Sequence, residues 1–134
     1  GLSLTFARGE DNATAGSEAD HEVMKATYAY GPVTVGYMES DYNDAVASGD
    51  QNTTAYNVAY TVSDELSLSY GSEELTFGAA SATNVAAEFE RVKVTYVSGG
   101  MTLTASQASG DNVSYTTATT EDREVWALGA SFAF

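Results

Sequence analysis

The 134-residue chain has no cysteine, one proline, one histidine and only five basic side chains. Without cysteine there is no disulfide framework, no thiolate metal site and no cysteine nucleophile. A single histidine excludes a multi-histidine metal cluster. Against the five basic residues stand 19 acidic ones, a formal net charge of −14. A phosphate surface needs Lys and Arg to neutralise it, so the charge argues for no nucleic acid partner. No run of about 18 apolar residues occurs, which excludes a transmembrane helix. Gly1 begins directly inside a patterned segment, with no charged start and apolar core. The expectation is a chain whose export signal has been removed, or a fragment. The length suits one domain, residues 1–134, or one segment of a larger one.

Acidity with Gly and Ser favours disorder, but nine Tyr, five Phe and strong alternation oppose it. Period two dominates, which is the signature of strands with two unlike faces. Gly1–Arg8 sets Leu2, Leu4 and Phe6 against Ser3, Thr5 and Ala7. The same alternation runs through Val23–Tyr30, Val33–Met38, Thr54–Val62, Glu65–Gly71, Glu90–Val97, Met101–Gln107 and Arg123–Phe134. That gives eight candidate strands. The one helix-like stretch lies around Ala79–Glu90, and its Thr, Asn and Val make it a poor helix.

Short and long connections alternate along the chain. Gly31–Pro32, Ser63–Asp64 and Ser98–Gly100 are short and carry turn residues. Residues 9–21, 40–53, 72–86 and 108–122 are long and polar. Antiparallel strands reverse at every connection, so all short turns fall at one end and all long loops at the other. A transmembrane β-barrel sorts its loops this way. Charge follows the division, since only Asp64 and Glu65 of the acidic residues fall at the short-turn end. Aromatics sit towards both ends of the apolar face. Tyr30, Tyr60, Tyr96 and Phe134 lie at one end, and Tyr37, Tyr56, Tyr70 and Trp126 at the other. Amphipathic rings belong at those two interfacial depths. A β-sandwich would also alternate, but its packing predicts neither the loop sorting nor the aromatic placement.

The chain ends on Trp126-x-Leu128-x-Ala130-x-Phe132-x-Phe134. This resembles the C-terminal signature of Gram-negative outer-membrane β-barrel proteins, in which that strand is read by the insertion machinery. Trp126, Leu128, Phe132 and Phe134 would then be the membrane-insertion signal. The hairpin ATYAYGPVTVGY, Ala26 to Tyr37, is similar to hairpins of alphaproteobacterial general porins. The resemblance implies the C-terminal half of such a porin. The expected fold is therefore all-β: an antiparallel up-and-down transmembrane β-barrel, eight strands here, part of a larger barrel of about 16. The polar face is mostly Ser, Thr, Ala and Gly. Those residues would underfill a closed eight-stranded barrel but suit the wall of a water-filled channel.

Lys25, Arg91 and Lys93 project from that polar face and are the candidate pore-lining residues. They would form a positive stripe, or else pair internally, Lys25 or Arg91 with Glu22 or Glu90. Arg8 and Arg123 fall near the outer rim, where neighbouring acids would neutralise them. No catalytic residue, cofactor or phosphate loop is expected. Glu10-Asp11-Asn12 and Asp41-Tyr42-Asn43-Asp44 offer oxygen ligands for calcium without EF-hand spacing, and solvated loops explain them as well. His21 reads as a solvated rim residue.

The expected function is a porin, not an enzyme: a cell outer-membrane channel for passive diffusion of small hydrophilic solutes. The resemblance implies a homotrimer, with lipid and lipopolysaccharide as surroundings. The alternatives are a small non-conducting barrel acting as adhesin or recognition protein, and a soluble secreted β protein.

Overall fold

Each alternating segment becomes a strand, and the strands outrun the apolar part of their sequence. The computed structural model describes residues 1–14, 17–44, 49–78, 85–115 and 122–133. Its elements are β1 (Leu2–Thr14), β2 (Ser17–Tyr30), β3 (Val33–Asn43), β4 (Gln51–Thr61), β5 (Leu66–Phe77), β6 (Ala87–Ser98), β7 (Met101–Asp111) and β8 (Arg123–Phe132). They form one eight-stranded sheet in sequence order, every neighbouring pair antiparallel. β8 and β1 do not pair, so the sheet is open.

The turns follow from their residues. Gly31 takes a positive φ of 55° ahead of Pro32, the arrangement a type II′ hairpin uses. Gly99 and Gly100 both take positive φ, as a type I′ hairpin requires. Between β4 and β5 the Ser63 hydroxyl accepts from the amides of Glu65 and Leu66 at 3.3 and 3.1 Å.

Two sequence expectations are corrected. Residues 9–14 and 17–21 are not loop but strand, with Gly9 opposite His21, Glu10 opposite Asp20 and Asp11 opposite Ala19. Their Gly, Asp and Asn content is turn-like, and pairing between the two strands overrides it. The other long connections shorten likewise, residues 40–43, 51–53, 72–77 and 108–111 lying in β3, β4, β5 and β7. Ala87–Glu90, read as helix-like, begins β6, where Glu88 and Phe89 pair with both β5 and β7. Val85 and Ala86 precede the strand without regular structure, and residues 79–84 lie outside the described residues.

The sheet is sheared. One row of directly opposed residues runs Leu2, Tyr28, Val35, Val58, Tyr70, Val92, Gln107, Trp126. It leaves β1 at the short-turn end and reaches β8 near the long-loop end. Barrel walls have this stagger, because their strands tilt against the axis.

No core accompanies the sheet. Among the described residues Ala87 is the sole buried hydrophobic side chain, and no polar side chain is buried. Leu4, Phe6, Trp126 and Leu128 are 70%, 69%, 73% and 86% exposed. The accessible surface is 9081 Å², whereas a compact monomer of this mass exposes about 6,700 Å². A sandwich would have buried these side chains between two sheets. Among the described residues nothing packs over the apolar face.

Candidate functional site

Register assigns every side chain to a face. The apolar face carries Leu2, Leu4 and Phe6 beside Tyr28, Ala26 and Met24, and continues through Val35, Val58, Leu68, Val94, Ala105 and Leu128. Towards the long-loop end the same face turns acidic, with Glu10, Asp20, Glu22, Glu39, Asp41, Glu74, Glu88, Glu90 and Glu124 on the strand extensions. These carboxylates lie at the long-loop ends of the strands, the end at which the sequence had gathered the acidic residues in loops or at strand ends beside them.

Aromatic side chains mark the boundary. Tyr37 donates its hydroxyl to Glu39 at 2.8 Å, Tyr70 to Glu90 at 2.6 Å, and the Trp126 indole N–H to Glu124 at 2.9 Å. Each ring keeps its body on the apolar band and turns its polar tip to the acidic belt. At the opposite end Tyr96 donates to Glu65 at 3.3 Å. Polar tips thus point away from the apolar band at both ends, as rings do at two apolar–water boundaries.

Arg8 holds the belt on β1 and β2. Its guanidinium lies 3.5 Å from Glu10, 3.3 Å from Asp20 and 3.6 Å from Glu22. The hydrogen bond to Asp20, then the charges of Asp20, Glu10 and Glu22, raise its pKa, so it stays charged. Arg123, the other rim cation, donates to the Asp122 carbonyl at 3.0 Å.

The polar face carries the candidate wall residues. Lys25, Arg91 and Lys93 all fall on it, opposite Thr5, Gly71 and Ser69. Arg91 donates to the Ser106 hydroxyl at 3.3 Å. The suggested internal pairs are overturned, because Glu22 and Glu90 point to the other face, where they meet Arg8 and Tyr70. Residues an odd number apart on one strand cannot share a face.

Sequence reasoning did not single out the partners of these cations. The polar face is hollowed into a trough of about 800 Å³ lined by Lys25, Asn57, Gly71, Glu73, Phe89 and Arg91, among others. Asn57, Gly71 and Arg91 stand in one row, while Glu73 lies diagonally from Arg91 on the neighbouring strand. Only register brings them together.

Other candidates do less. His21 Nε2 lies 2.9 Å from the Ser40 hydroxyl, with the Tyr42 ring edge-on at 6.3 Å. Among the described residues no carboxylate bonds the second ring nitrogen, so the third member of a nucleophilic triad is lacking. Among the described residues no three His, Cys, Asp or Glu side chains form a group that could hold a metal ion. Glu10 and Asp11 face opposite sides of β1, and Glu10 is paired with Arg8. Of the C-terminal signature, Trp126, Leu128 and Phe132 stand exposed on the apolar face of β8, and Phe134 lies outside the described residues.

Fold and site together define a class: an open, sheared, all-antiparallel meander with one apolar face, one polar face and aromatic boundaries. Comparison with protein-family models, with curated proteins and with solved structures gave no match.

Proposed function

We propose that the chain forms the wall of an outer-membrane porin, part of a larger barrel, through which small hydrophilic solutes diffuse passively. The observation that carries this reading is the division of a coreless sheet into two unlike faces. An apolar face exposed along all eight strands needs lipid to cover it. A polar face of hydroxyls, glycines and unburied cations needs water. The unpaired edges of β1 and β8 support a segment over a finished small barrel, since open edges are not tolerated in the hydrocarbon region. Homotrimer assembly and contact with lipopolysaccharide belong to the same proposal.

The mechanism has no covalent step. Solutes are selected by the width of the passage and by the field of Lys25, Arg91 and Lys93 acting against the surrounding carboxylates. The −14 net charge disfavours the approach of free anions, which the wall cations offset locally.

The test is conductance after the larger barrel that contains this segment is refolded and inserted into planar bilayers. Stepwise openings of constant size are expected. Silence from well-inserted protein contradicts the channel and favours the non-conducting barrel. A monodisperse species purified without detergent contradicts both membrane readings.

A further inference from the structure

The trough on the polar face combines charges of both signs with an apolar flank. Arg91 and Glu73 are diagonal neighbours on β6 and β5, about 7–8 Å apart at Cα. No ion pair joins Glu73 to Arg91 or to Lys25 among the described residues. Between Asn57 and Arg91 the row passes over Gly71, where the strand backbone is bare. Asn57 leans away from this gap, over Gly36 on the other side. The floor is therefore open, with a cation on one side, a carboxylate on the next step and an amide opposite. Phe89 continues the lining towards the long-loop end.

We propose that this trough is a binding subsite for small zwitterionic solutes of the α-amino-acid class with an apolar side chain. The guanidinium of Arg91 is suited to a carboxylate, which it can grip with two parallel N–H donors. Glu73 accepts from the ammonium group. The apolar substituent lies against Phe89. A zwitterion answers Arg91 and Glu73 together, whereas an anion leaves Glu73 unanswered. It also carries no net charge, so the −14 of the chain does not repel it.

This inference rests on the reading of the polar face as water-filled, but its test does not require conduction. Saturation-transfer NMR on the full chain refolded in detergent micelles would use L-leucine as the probe. The single-charge controls are 4-methylpentanoate and isoamylamine. Leucine is expected to bind about tenfold tighter than either control. Glu73→Gln is expected to reduce leucine to the level of 4-methylpentanoate. Gly71→Val is a second variant that fills the floor and leaves every charge in place. A Cβ at Gly71 meets only the Tyr56 carbonyl oxygen, at 3.7 Å, which is ordinary contact, and β-branched side chains suit strands. It is expected to abolish saturable leucine binding.

Equal affinity for leucine and its controls overturns the proposal. So does no binding of leucine, or binding untouched by both substitutions. Conduction without leucine binding overturns the subsite alone. Saturable leucine binding by protein silent in bilayers overturns the channel and keeps the subsite.

Discussion

The side-chain amide of Asn57 lies over Gly36, on the adjacent strand, in the space a Cβ at position 36 would occupy. Gly36→Ala therefore forces the amide to swing aside. Because the displaced atoms are the far end of a flexible side chain, the expected destabilisation is about 1 kcal/mol. Asn57→Ala removes the conflict, so the double variant is expected to be no less stable than Asn57→Ala alone. A double-mutant cycle by urea titration in micelles measures this coupling.

Adjacent residues on β5 give the second prediction. Leu68 lies on the apolar face and Ser69 on the polar face. Leu68→Lys is expected to destabilise insertion by about 2–4 kcal/mol if its level is near the bilayer midplane, and Ser69→Lys by about 0–1 kcal/mol. Equilibrium folding into vesicles, followed by fluorescence of the single Trp126, reads both. Equal losses from the two would deny that the faces meet different solvents.

Arg8 is the hub of three carboxylates that would otherwise repel one another. Arg8→Gln is expected to lower stability at low salt. The loss should shrink towards zero in about 1 M NaCl, where the screening length falls to about 3 Å. Its pKa is raised above the ordinary guanidinium value by the hydrogen bond to Asp20 and the neighbouring carboxylates, so the contribution of Arg8 is fully present at neutral pH and is lost only as strong alkali discharges the guanidinium. A salt series at fixed pH 7 measures it.

The wall cations predict selectivity. Replacing Lys25, Arg91 and Lys93 together with Gln is expected to shift the reversal potential under a KCl gradient towards stronger cation preference. The Arg8→Gln variant, altered on the other face, is expected to shift it far less.

Much of the sheet was legible because Val33, Val35 and Tyr37 alternate with Thr34, Gly36 and Met38, and that pattern survives any tertiary context that buries or wets one face. The strand extensions were not. Gly9–Asp11 and Asp20–Glu22 have loop-like composition, and they become strand only through pairing with each other. The faces of Glu22 and Glu90 were readable from parity with Lys25 and Arg91, and the internal pairing suggested for them conflicts with it. The trough was invisible, because Asn57, Glu73 and Arg91 lie far apart in sequence and meet only once three strands are in register.

The most direct measurement is a spin-label scan of β6. The chain has no cysteine, so each of Val92→Cys, Lys93→Cys, Val94→Cys, Thr95→Cys and Tyr96→Cys carries the only thiol. In vesicles, labels at 92, 94 and 96 are expected to collide with oxygen dissolved in lipid, and labels at 93 and 95 with a water-soluble nickel chelate. An alternation of period two with opposite phases for the two reagents is the predicted result. Uniform access to the nickel chelate, or shielding of 92, 94 and 96 from both reagents, would contradict the account.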